Sequence, residues 1–306
     1  MKHEFKVTLI LVFIFFLSQL IGLAFIAADI DNLTISDTGE LVVVHPETVI
    51  GERPEFNGGQ SLIYIIIGVL IGTLLLLFLA KYKAKKIWKF WYILAVIMTV
   101  SISLGVILSA QIALILAIII ATIKILKPNI YTHNITEVLM YSGLAIFLVP
   151  LFDLFWISIV LILISIYDMY AVWKSKHMIT LAKFTAESNM FAGLTINYEA
   201  NKIKQSHKKI NLKNSTKNKS KTAILGGGDV VFPLLFTGVV MENLIKNGFS
   251  IINSYLFVLP IIIITTLALF LLFYYSKKGK FYPAMPFISM GCFLGAIFSW
   301  LLIFLI

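Results

Sequence analysis

The sequence predicts an all-α, polytopic membrane protein with nine transmembrane helices, and three observations lead there. Of its 306 residues, 59% are hydrophobic and 13% charged, with a mean hydropathy of +0.96. A soluble domain of this length needs far more polar surface to stay in water. Apolar runs of about 20 residues recur along the chain, each long enough to cross a hydrocarbon core roughly 30 Å thick. The lysines, finally, collect between alternate runs, as membrane orientation requires.

The spans fall near 7–28, 61–80, 90–109, 110–126, 137–152, 154–173, 222–241, 254–276 and 281–306. The first is too long for a signal peptide and lacks a small-residue cleavage site, so it is read as a retained helix. The loop 29–60 after it holds Asp29, Asp31, Asp37, Glu40, Glu47, Glu52 and Glu55. Its central piece, 39–49, contains the β-prone Leu41-Val42-Val43-Val44, which suits a short hairpin, although a solvated loop is the simpler expectation. Ser109 and Gln111 mark a turn between spans three and four; merging those spans would leave some 35 apolar residues to fold as one. Lys124, Lys127 and Pro128 end the fourth span, and Pro150 and Asp153 bound the fifth. Pro233 and Pro260 are expected to kink their helices.

A cytoplasmic N terminus places 23 of the 25 basic residues on the cytoplasmic side of nine spans, leaving Arg53 and Lys246 outside. This is the positive-inside bias, and it puts the C terminus outside the cell membrane. The chain then divides into a bundle over 1–173, a cytoplasmic Lys-rich loop over 174–221 and a second bundle over 222–306. Within that loop, 177–191 has the spacing of an interfacial amphipathic helix. The Lys-, Asn- and Ser-rich stretch 202–221 has little to bury and is expected to be disordered, with lysines able to attract anionic lipid heads of the bilayer. The net charge of +10 is explained by orientation rather than by nucleic acid, and Arg53 is the sole Arg. One cysteine, Cys292, excludes an intrachain disulfide and a cysteine-rich metal site.

Two acidic residues stand inside the apolar spans. An ionised carboxylate there costs about 2.5–3.5 kcal/mol on insertion scales, which makes it a functional candidate. Asp168 lies six residues before Lys174 and Asp229 eight after Lys221, so each sits about 9–12 Å inside the cytoplasmic boundary. Consecutive spans thus offer carboxylates at one depth. Two such groups in reach of one another would share a proton, one acting as general base on a water and the other as general acid. Gly226, Gly227 and Gly228 weaken the start of the seventh span and permit close approach of a helix or an extended peptide. Pro283-Ala284-Met285-Pro286 breaks the start of the ninth span at similar depth, where irregular backbone must be covered by protein or face a cavity.

Together, Tyr167-Asp168, Gly226-Gly227-Gly228-Asp229 and Pro283-Ala284-Met285-Pro286 resemble the YD, GxGD and PAL motifs of the presenilin and signal peptide peptidase family. The resemblance covers essentially the whole chain, and the short loops look most like archaeal presenilin homologues. Met285 departs from the usual Leu but has similar volume. The resemblance implies an intramembrane aspartyl endopeptidase that cuts transmembrane protein or peptide substrates, with Asp168 and Asp229 catalytic and no cofactor. Tyr167 would then order the aspartate pair or simply pack. A cytoplasmic 174–221 loop matches the presenilin branch, which implies substrates with external N termini.

Glu137, Asp153 and Glu242 lie near span ends and are read as solvated at the interface. His3, His45, His133, His177 and His207 show no metal-ligand spacing. Two other functions compete. A prepilin-type peptidase also has a GxGD motif, but typically has Lys where this chain has Val231. An ion channel or proton-coupled transporter could use paired buried carboxylates, yet no internal inverted repeat is visible. No pattern in the sequence encodes the oligomeric state.

Overall fold

The computed structural model describes residues 5–35, 41–54, 56–175, 191–198, 221–277 and 282–305. Among them are nine α-helices: α1 (Phe5–Ala28), α2 (Gly58–Lys81), α3 (Lys85–Gly105), α4 (Ala110–Leu126), α5 (Ile130–Leu148), α6 (Leu154–Tyr170), α7 (Gly227–Lys246), α8 (Ile251–Tyr275) and α9 (Met285–Leu305). Eight are long and apolar enough to cross a membrane. The 17 residues of α4 rise about 26 Å at helical pitch, just under the hydrocarbon thickness.

Local chemistry sets the helix starts. Asn57 and Gln60 form a reciprocal capping box on α2. Asn129, Asp153 and Ser250 cap α5, α6 and α8 by accepting from Tyr131, Trp156 and Asn253 backbone N–H groups. The turn between α3 and α4 falls at 106–109, as expected from Ser109. Pro150 sits in a 3-10 turn, Val149–Leu151, that closes α5, and α6 runs on into a π-turn, Ala171–Ser175.

The bundle is built around α7. Of its span, 78% is buried within the chain, against 6% for α2. Helices α1, α5, α6, α8 and α9 all pack on α7, whereas α2 rests mainly along α6 and α3. An apolar helix so open to its surroundings is stable only where lipid covers it. Helices α8 and α9 meet through Gly291 and Gly295, where an added Cβ would lie 2.8 Å from Thr265 Cα and 2.5 Å from Ile261 Cα. Small residues four apart allow that backbone approach.

Two features depart from the sequence reading. Residues 222–226 are not the start of the seventh span. Strand β4 (Lys221–Gly226) pairs antiparallel with β3 (Gly193–Tyr198), Gly193 opposite Gly226, and α7 begins only at Gly227. Leu194, Ile196, Ala223 and Leu225 are buried while Ile224 is exposed, which is the period-2 pattern of a strand. Likewise 41–44 forms strand β2 (Leu41–Val44), paired with β1 (Asn32–Ile35), rather than a solvated loop. Residues 177–190 of the expected amphipathic segment and most of the Lys-rich stretch lie outside the described residues.

Candidate active site

Asp168 is buried near the end of α6, and its Oδ2 accepts a hydrogen bond from the Met285 N–H at 3.1 Å. That amide is free to donate because Met285 is the first residue of α9, where backbone N–H groups have no intrahelical partner. Pro283 lies before α9 and Pro286 is its second residue, where the missing N–H breaks no intrahelical bond. Ser165, one turn before Asp168, is 2.8 Å from Ser289 Oγ and fixes α6 against α9.

Asp229 is the third residue of α7, in the first turn, where the helix dipole favours negative charge. Its carboxyl folds back to hydrogen-bond the Gly226 backbone, half of a capping box. A Cβ at Gly226 would sit 3.2 Å from Asp229 Oδ2, and one at Gly227 would sit 2.7 Å from the Tyr141 hydroxyl. The close neighbour that excludes a side chain at Gly227 is thus an aromatic ring from α5. Gly228 is exposed and meets only Phe232, at 3.6 Å. Pro233 within α7 leaves the Asp229 carbonyl without its usual donor. Gln19 of α1 donates to the next carbonyl, that of Val230, at 2.8 Å.

Helices α6 and α7 are in contact, and Asp168 and Asp229 lie within electrostatic reach of each other. The segment Pro283-Ala284-Met285-Pro286 lies against Asp168, with Pro283 and Met285 buried. The Tyr167 hydroxyl is 3.3 Å from Thr73 Oγ1 of α2.

Glu137 and Glu242 correct the reading of interfacial solvation. Glu137 is fully buried in α5. Its Oε1 accepts from Tyr92 Oη at 2.6 Å and Lys124 Nζ at 2.5 Å, and its Oε2 accepts from Gly193 N–H at 2.9 Å and from the Tyr141 hydroxyl. Desolvating such an ion pair costs several kcal/mol per charge, and the hydrogen bonds to charge return roughly 1.5–3 kcal/mol each. Removing one partner alone would leave a buried charge uncompensated. In the sequence Glu137 falls at the edge of the apolar run, whereas α5 begins seven residues earlier at Ile130, so hydropathy does not mark it as buried.

Glu242 is buried at the far end of α7. His45 bridges it to Asp29, Nε2 lying 3.0 Å from Glu242 Oε1 and Nδ1 2.9 Å from Asp29 Oδ2. Arg53 Nη2 donates to the same Asp29 oxygen at 2.6 Å. The β1–β2 segment is thereby tied to the bundle. Asp153 does act at a helix boundary, as the cap of α6.

Comparison with known proteins gives the family and the fold. The family profile described as signal-peptide peptidase, presenilin aspartyl protease matches residues 33–305. Two solved structures of a presenilin family intramembrane aspartate protease, in different space groups, share the fold. One has a TM-score of 0.57 at 18% identity, covering 95% of this chain and 99% of its own. The other has a TM-score of 0.56 at 19% identity, covering 95% and 96%. No curated protein sequence matches the chain.

Proposed function

Because the chain belongs to the signal-peptide peptidase and presenilin family of intramembrane aspartyl proteases, we propose that Asp168 and Asp229 are its catalytic pair. The observation behind this assignment is that α6 and α7 bring two carboxyls into mutual electrostatic reach, with the first amide of α9 hydrogen-bonded to one of them. One carboxylate takes a proton from a water as it attacks the scissile carbonyl, and the other, protonated, donates to the carbonyl oxygen. The tetrahedral intermediate collapses as the amine leaves with a proton. Substrates are membrane proteins cut within the bilayer. A transmembrane helix must unwind to expose its peptide bond, and β4, which runs directly into α7, lies where an extended chain would meet Asp229.

Cleavage of a reconstituted transmembrane substrate tests the pair. Asp168→Ala and Asp229→Ala should each lower the rate by at least about 100-fold. Wild-type turnover by either variant would refute the assignment.

A further inference from the structure

The cluster around Glu137 has no part in the chemistry just described, yet it is built against the start of α7. Helix α5 presents a row of polar side chains to β3 in the manner of a neighbouring strand. His133 Nε2 lies 2.8 Å from the Gly193 carbonyl, and Glu137 takes the Gly193 N–H at 2.9 Å. Asn134 both donates to the Thr195 carbonyl and accepts from the Thr195 N–H, each at 2.9 Å. Strand β3 is therefore fixed at both polar groups of two alternate residues.

Strand β3 in turn holds β4, and β4 leads through the glycines to Asp229. Gly193 is opposite Gly226 in the ladder, and the Gly227 N–H donates to the Ala192 carbonyl at 3.2 Å. From the other side the Tyr141 ring lies over Gly227, its hydroxyl held by Glu137. Glu137 thus touches the start of α7 by two routes, one through the Gly193 amide and one through Tyr141. Tyr92 and Lys124 occupy its second oxygen and hold the carboxylate in place from α3 and α4.

We propose that Glu137 is a positioning residue: with Tyr141 it sets the Gly226–Gly228 turn, and so the place of Asp229 relative to Asp168. This rests on the catalytic assignment above. A carboxylate with four donors from α3, α4, α5 and β3 cannot shift without releasing several of them, so the turn inherits its rigidity. Small displacements of a reacting group are costly to rate.

The test uses purified full-length protein in detergent, with active sites counted by titration against a hydroxyethylene peptide isostere, whose tetrahedral hydroxyl takes the place of the attacking water. Glu137→Ala should lower kcat per titrated site about 30-fold and weaken the isostere in step, because both depend on the aspartate geometry. KM should change by less than about threefold. Glu137→Gln keeps an acceptor and should fall between, and Tyr141→Phe, which keeps the ring but loses the hydroxyl, should show a smaller loss of the same kind. If Glu137→Ala does not fold, the last two variants decide. Wild-type kcat per site and isostere affinity in these variants, with only fewer sites or a lower melting temperature, would mean that Glu137 merely stabilises the fold. Asp168→Ala and Asp229→Ala are assayed alongside. If they are inactive while the Glu137 variants match wild type, the positioning role alone is lost; if they are active, the catalytic assignment is lost as well.

Discussion

Single side chains at the two ends of α7 do different work. At the end opposite the aspartates, His45 is clamped between Asp29 and Glu242. Burial alone would lower its proton affinity, but the carboxylates on both ring nitrogens outweigh this and raise its pKa from 6.5 to about 9. A raised folded-state value gives stability that is complete below about pH 6.5 and lost as pH rises through about 9. The shift corresponds to about 3 kcal/mol. Thermal melting in detergent should accordingly be lower at pH 10 than at pH 7, and His45→Gln should melt lower at pH 7 while losing most of that difference. A wild-type profile that matches the variant's across this range would show that the clamp contributes nothing. Glu242 and Asp29 could be seen as acids near span ends, but their partners lie far apart in sequence, and no periodicity announces a contact between residues 45 and 242.

At the scale of elements, helices were legible, and of the short strands only the β-prone Leu41–Val44 gave a sign. Long apolar periodicity marks all nine helices to within a few residues at most ends, because membrane thickness fixes their length. The seventh span reads five residues early, since Thr222, Ala223, Ile224 and Leu225 continue the apolar run and hydropathy cannot separate a strand from the helix behind it. Its partner, Leu194-Thr195-Ile196, is too short to signal a strand before pairing is known. The glycines divide in the same way. Their run shows that the turn needs room, but only packing shows where. Gly227→Ala should drive a methyl into Tyr141 and lower both melting temperature and activity. Gly228→Ala meets ordinary contact only, so its melting temperature should hold or rise, helix propensity favouring Ala by about 1 kcal/mol. Any loss there should appear in cleavage alone, through the exposed face beside Asp229. Equal melting temperatures for the two variants would contradict the packing of Tyr141 on Gly227.

Across the whole molecule, burial grades from α7 at the centre to α2 at the rim, so the proposed catalytic pair lies on and beside the best-packed helix while lipid meets the helices that tolerate it. The Lys-rich 174–221 segment joins α6 and α7 at the end that bears both aspartates. By charge it should be cytoplasmic together with the N terminus. Tags at both sites should be protected from external protease in intact cells, and cleavage of a tag in 174–221 would reverse the orientation. Asp168 and Asp229 stand out in the sequence by their depth and by the motifs around them, because an acid within an apolar span is rare enough to notice. Their supports were not, since Glu137, Tyr141 and Asn134 become meaningful only when β3 is seen beside them. The central claim is that the two aspartates act as one unit, and residual cleavage by Asp168→Asn, Asp229→Asn and the double variant measures this. The pair predicts that both single variants fall to the same low rate and that the double falls no further. Substantial turnover by either single variant, or a double variant whose loss is the product of the two, would contradict it.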